Sequence, residues 1–398
     1  MSEVRFEKAR PEDYEDVIDL GNYVFSQASV PHDYVRFLPK LYKQEYFMDS
    51  IHYLAREGRK IRAVIGAYPL EMEFSDGSRI PGRGIGMVSV HPNCRSRGYM
   101  KTLMNMALDE MKKDGMVFSC LSGRRQRYEY YGFTQAGCNY IFSVREHNIY
   151  HTLGREWISD LGLTMVKAND GKILDSIQAL HESKNIRFRR DRERLFDILC
   201  SWKSQVFALV RGDNFEGYLV FQKSSNEITE INLREPALRA EAIGVLLRFR
   251  RALEAPNSQG VHVFAGPGET EKLKTLSGFA EDCRYTTAYQ YSIFDFKCFT
   301  EPLFRYKARG QVLGDGAVSL KINNEKGTDF ILKSRGGKPE FLDQSNNTDT
   351  PEISLTPMEA QDFLFNPFSK LAIPGIAESV FLQTLLPLPL FFELPDGI

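Results

Sequence analysis

Net charge, paired cysteines and long apolar runs are all scarce in this 398-residue chain. Lys and Arg number 51 against 52 Asp and Glu, leaving a formal net charge of -1. No global positive field is therefore available to hold a nucleic acid, and any basic patch must be local. The six cysteines, Cys94, Cys120, Cys138, Cys200, Cys283 and Cys298, are scattered without a C-x-x-C pair. This speaks against a disulfide framework and predicts reduced thiols of a cytoplasmic protein, packed as small apolar side chains. The first residues, MSEVRFEKARPEDYED, contain no apolar stretch of signal-peptide type, and no later run is pure enough to span a bilayer. The most apolar segment, VFLQTLLPLPLFF, is interrupted by Pro387 and Pro389 and reads as core or subunit contact.

What is present fits a globular protein: 42% of residues are hydrophobic, and the length predicts two or three domains. A strand near Val4 to Phe6 leads into a helix entered at Pro11-Glu12-Asp13, with Val17, Leu20 and Val24 on one face. Two strand-like runs joined at Gly58-Arg59-Lys60, then an Asp76-Gly77 hairpin into GIGMVSV, predict an antiparallel meander. Next comes a helix with Met100, Leu103, Met104, Ala107, Leu108 and Met111 inward, closing at Gly115. From about Trp157 the same order recurs, and TLSGFAED occupies the place that YYGFTQAG holds in the first unit. An internal duplication is the reading. A third unit near Lys307 offers short strands, a loop rich in Asp, Asn and Thr, and a Thr356-Pro357-Met358-Glu359 capping box.

Chemistry concentrates between Val88 and Gly115. A strand that turns at once into a helix leaves unpaired N–H groups at the positive end of the helix dipole, where anionic oxygens are natural guests. Arg95, Arg97 and Lys101 add charge, and Gly98 removes the side chain that would hinder close approach of a phosphate. The stretch reads either as a pyrophosphate cradle or as a solvated basic turn. Downstream, RYEYYGF places Tyr128 four residues before Gly132-Phe133; a tyrosine cluster of this kind is otherwise packing surface. His147 and His151 stand at i, i+4, but HNIYH lacks the glutamate of H-E-x-x-H and a third ligand. A solvated inter-domain segment without metal is expected there.

With both motifs in place, the chain resembles the GCN5-related N-acetyltransferase (GNAT) superfamily. Met100 stands where that superfamily usually has Gly or Ala, a departure shared by the enhanced intracellular survival (Eis-type) group, which the chain is similar to over nearly its whole length. The resemblance implies an α+β fold: two tandem acetyltransferase-like domains with mixed central sheets, catalytic at 1–150 and degenerate at 151–299, plus a sterol-carrier-like α/β domain at 300–398. Decay of the middle copy is visible in Arg234-Glu235-Pro236-Ala237-Leu238, which has no glycine, and in Lys274 at the tyrosine position before Gly278.

The resemblance further implies acetyl-CoA as co-substrate, with its pyrophosphate at Arg95, Ser96, Arg97, Gly98, Tyr99, Met100 and Lys101. Its pantetheine arm would lie along Val88, Ser89 and Val90, with further contacts at Ser122 and Gly123. Tyr128 would be the general acid and the terminal carboxylate of Ile398 the general base, with Glu393 and Asp396 collecting cationic acceptors if the tail lines the pocket. The acceptor would be a primary amine of aminoglycoside, polyamine or lysine type, and the assembly a homo-oligomer, hexameric by resemblance. The alternative is a non-catalytic protein that binds or senses acyl-CoA or lipid.

Overall fold

The computed structural model describes residues 3–28, 30–255, 259–287, 289–325, 327–343, 350–369 and 378–398. Three sheets organise them. In the first, the strands Val4–Lys8, His52–Glu57, Lys60–Phe74 and Arg79–Val90 form the expected antiparallel meander. Its turns fall where left-handed backbone is needed, with Gly58 at φ 60° and Gly77 at φ 87°. The helix Tyr99–Lys113 then crosses the sheet and returns the chain to Phe118–Leu121. That strand pairs parallel with Arg79–Val90 through Gly82, Arg83 and Gly84 alone. Leu103, Met104, Ala107, Leu108 and Met111 of the helix are buried against the sheet, and Gly115 ends it at φ 72°.

The second sheet repeats the plan. Ser204–Arg211, Asn214–Gln222 and Glu227–Leu233 run antiparallel, the helix Arg239–Ala252 follows, and Gly260–Ala265 pairs parallel with Glu227–Leu233. The sheets also exchange strands. Asn139–Arg145 pairs with Gly260–Ala265 and Asp282–Thr286 in the second sheet, whereas Gln290–Ile293 pairs with Phe118–Leu121 and Thr134–Gln135 in the first. The second sheet therefore begins ahead of Trp157, and neither sheet completes its hydrogen bonding from one continuous stretch of chain.

The third sheet comprises Gly316–Ile322, Thr328–Arg335, Lys338–Asp343 and Glu352–Leu355, followed by the helix Pro357–Phe365 with its Thr356/Glu359 capping box. Most of the loop expected before it, 344–349, lies outside the described residues. Phe330 and Phe363 pack here with Phe296, Phe299 and Phe304, and the same core takes in Leu385, Leu386, Leu388, Leu390, Phe391 and Phe392. Most of the apolar C-terminal segment thus serves as core, the first of the two roles its composition left open, although Val380 at its start is exposed. All six cysteines are free. Cys94, Cys120 and Cys138 are buried as expected, but Cys283 and Cys298 are exposed. Among the described residues no helix is long and apolar enough to cross a membrane.

Candidate active site

Parallel pairing between Arg79–Val90 and Phe118–Leu121 stops at Gly84, so among the described residues the remainder of the longer strand has no partner on that side and the sheet splits. At the split, Met87 carries φ 51°, and two residues, Met87 and Val88, face the single Ile65 across the ladder. This bulge bends the strand and holds a non-glycine residue in a strained conformation, a combination that gathers at functional clefts.

Beyond the split opens a cleft of about 840 Å³. Val88 and Val90 line it, as do Arg95, Ser96, Gly98, Tyr99, Met100 and Lys101. Ser89 does not: strand alternation turns its side chain into the interior, where it is fully buried. Ser96 at φ 64° and Gly98 at φ 80° bend the chain so that the helix starts at Tyr99, and no side chain caps it. A Cβ on Gly98 would meet nothing within 4 Å, so its lack of a side chain serves backbone conformation and leaves space in front of the first turn.

Arg97 does not line the cleft. Its guanidinium donates to Glu57 Oε1 at 2.9 Å, and the Tyr99 hydroxyl donates to the same oxygen at 2.6 Å. The Tyr99 hydrogen bond, with Arg97 and Arg62, holds the Glu57 carboxyl below its usual range. Arg97 and Glu57 thereby tie the turn to the neighbouring strand. Arg124 and Arg127, which the motif reading passed over, complete the lining. The signal was present in SGRRQRYEY, whose arginines immediately precede Tyr128. Arg95, Lys101, Arg124 and Arg127 face the cleft with no carboxylate among its lining residues, an arrangement suited to a multiply charged anion.

Tyr128 lies across the split from the strand. It is buried, and its ring covers Gly123, where a Cβ would come within 2.5 Å of Tyr128 Cε2. Burial pushes the phenol pKa upward, so the hydroxyl stays protonated and able to donate. Ser122 is exposed, and neither it nor Gly123 lines the cleft; the Gly123 carbonyl accepts from Gln290 at 2.8 Å. In the second sheet the corresponding glycine, Gly278, has φ -74°, whereas Gly132 has φ 80°. The 3₁₀ turn Pro236–Leu238 replaces the open loop of the first unit.

The chain end approaches from the opposite side. Ile398 fills a slot made by two absent side chains: a Cβ on Gly84 would lie 2.0 Å from Ile398 Cδ1, and one on Gly86 2.7 Å from Cγ2. The tail is held along its length. Phe392 stacks on Tyr289 at 4.4 Å, Asn139 donates to the Phe392 carbonyl at 3.1 Å, and Lys40 donates to that of Pro395. Ile398 and Tyr128 thus flank the split, near Gly86 and Gly123 respectively, each just past the last paired residues. Glu393 and Asp396 do not face an open pocket: Lys184 and Arg190 engage them in the interior, which corrects the expectation that they collect cationic acceptors. His147 bonds Glu281 at 2.8 Å. Among the described residues His181, Glu230 and Glu393 form the one group of three or more His, Cys, Asp or Glu residues whose ligand atoms all lie within 4.8 Å of one another, and Arg190 and Lys184 already hold its carboxylates.

The sequence model of the acetyltransferase (GNAT) domain family matches residues 5–136. No curated protein matches the chain. Among solved structures, a probable N-acyltransferase from Enterococcus faecalis is similar at 18% identity and TM-score 0.65, covering 98% of this chain and 97% of its own. A GCN5-related N-acetyltransferase from Kribbella flavida is similar at 15% identity and TM-score 0.62, covering 100% and 99%. Eis1 from Mycobacterium abscessus is similar at 12% identity and TM-score 0.62, with both chains covered completely. At these identities the likeness is one of fold, and it extends over all three sheets.

Proposed function

We propose that this chain, whose residues 5–136 match the model of the acetyltransferase (GNAT) domain family, transfers an acetyl group from acetyl-CoA to a primary amine by direct attack. The observation that carries the reading is the cationic cleft beside the split in the first sheet; Tyr128, buried over Gly123, and Ile398, whose side chain sits against Gly84 and Gly86, do not line that cleft but lie near the same split and support the reading. In this reading the cleft residues from Arg95 to Lys101, with Arg124 and Arg127, receive the pyrophosphate. The pantetheine arm follows the unpartnered edge at Val88 to Val90. The amine loses a proton to the Ile398 carboxylate, directly or through water, and its nitrogen bonds to the acetyl carbon. The C–S bond then breaks, and the departing thiolate takes a proton from Tyr128.

The division into 1–150, 151–299 and 300–398 belongs to the same proposal as a functional parsing, as does a homo-oligomer, hexameric by the resemblance. The test is thiol release from acetyl-CoA with a panel of monoamines, polyamines, aminoglycosides and lysine peptides. Turnover with an amine supports transfer, whereas tight acetyl-CoA binding without turnover for any acceptor refutes it.

A further inference from the structure

Beneath the tail lies a buried ionic cluster that joins the two larger sheets. The Arg190 side chain is fully buried; it donates from Nε to Asp396 Oδ1 at 2.7 Å and from Nη2 to Oδ2 at 2.9 Å. The same guanidinium reaches Glu230 at 3.1 Å and 2.8 Å. Lys184 bonds Glu393 and lies 3.6 Å from Glu230, the Tyr218 hydroxyl donates to Glu230, and Lys40 reaches the Pro395 carbonyl from the first unit. Two cations, Arg190 and Lys184, thus meet three carboxyl groups, with the Lys40 amine beside them on a backbone carbonyl, while burial holds His181, 3.9 Å from Glu230, in its neutral form. Apolar side chains of equal volume would fill this space at lower desolvation cost. What the ion pairs add is direction, because a planar fork fixes a carboxylate in position and orientation.

Asp396 stands two residues from the chain end, and two residues span at most about 7 Å. Between them Gly397 lies against Tyr289, whose hydroxyl oxygen a Cβ would approach to 2.1 Å. Beyond it Ile398 is keyed into the Gly84 and Gly86 slot. We propose that Arg190 is a positioning residue: by clamping Asp396 it sets the location of the Ile398 carboxylate at the split. This rests on the reading of that carboxylate as the base. The middle unit, which lacks an open cradle of its own, then serves the reaction by holding the tail that the first unit uses.

The test is a cycle of full-length variants assayed with acetyl-CoA and an amine that turns over. Asp396→Asn keeps the volume and one acceptor oxygen, and Arg190→Lys keeps the charge but loses the fork. Each is expected to lower kcat by about 10- to 100-fold, the scale of a misplacement of roughly 1 Å, with the KM for acetyl-CoA within about twofold. The same substitutions are then made in a chain extended by one glycine after Ile398, where the carboxylate is already displaced. No additional loss is expected there. An equal loss in both backgrounds, native kcat in the unextended variants, or loss of acetyl-CoA affinity together with turnover would each overturn the positioning role. Native turnover by the extended chain with unaltered Asp396 and Arg190 would instead overturn the assignment of the base, and this proposal with it.

Discussion

Gly84→Ala is the smallest change that tests whether the chain end takes part in the reaction. The added Cβ would sit 2.0 Å from Ile398 Cδ1, while its next neighbours, Ile398 Cγ1 and Leu70 Cδ1, lie at 3.1 Å and 3.3 Å. Carbon atoms pack at about 3.5–4.0 Å, so Cδ1 must retreat by roughly 1.5–2 Å. Because the obstructed atom ends a side chain on a chain terminus, the retreat is cheap for folding, about 1–2 kcal/mol of overpacking and rotamer strain. For catalysis it is costly where the retreat carries the backbone of Ile398, and with it the terminal carboxylate, because moving a reacting group by about 1 Å removes on the order of 10²-fold in rate. Thiol release should therefore show kcat reduced about 10²-fold with acetyl-CoA affinity kept, because the cradle lies farther along the strand and beyond it. Ile398→Val removes Cδ1 and retains the carboxylate, so adding it to Gly84→Ala should restore most of the lost turnover. Native kcat in Gly84→Ala, or no recovery in the double variant, would refute the reasoning.

Three further outcomes follow from individual residues. Gly98→Asn and Gly98→Asp both tolerate left-handed backbone and enter the same open space, so they differ chiefly in charge; calorimetry should find acetyl-CoA affinity at least about 10-fold weaker for Asp than for Asn, and equal affinities would exclude an anion at that turn. Tyr128→Phe should lower kcat by about 10²-fold or more with cofactor affinity nearly unchanged, while near-normal turnover would assign protonation of the thiolate to another group. Burial lowers the Lys40 ammonium to about 7 in the folded protein. Between pH 7 and roughly pH 10 the unfolded chain therefore binds a proton that the native state lacks, and native stability must rise with pH relative to Lys40→Met, by at most about 1.4 kcal/mol per pH unit. Denaturant titrations across that window check it, and a difference independent of pH would contradict the burial.

Much of the architecture was legible because it depends on short-range rules. The glycines at 58, 77 and 115 stand where left-handed turns and a helix end require them, and the apolar stripe of Tyr99–Lys113 fixed which face of that helix meets the sheet. The R-x-R-G turn and the Tyr128 to Gly132 spacing are local in the same way, since the positive-φ turn and the buried tyrosine each lie within a few residues of the element that presents them. Local pattern did not separate two arginines two residues apart: Arg95 enters the cleft, whereas Arg97 is drawn to Glu57, forty positions earlier in the chain.

Tertiary structure decided the rest. Composition marked LPLPLFFELPDGI as apolar and proline-rich, and burial of Phe391 and Phe392 agrees with an anchored tail. Its destination depends on contacts across more than 200 residues: Arg190 with Asp396, Asn139 with Phe392, and the slot at Gly84 and Gly86. A sequence records which carboxylates exist, but whether Glu393 and Asp396 meet a substrate or a buried guanidinium depends on the cations that folding brings beside them. The exchange of Asn139–Arg145 for Gln290–Ile293 escaped the reading for the same reason. A strand of suitable pattern can pair with either sheet, and only the closed ladders determine which.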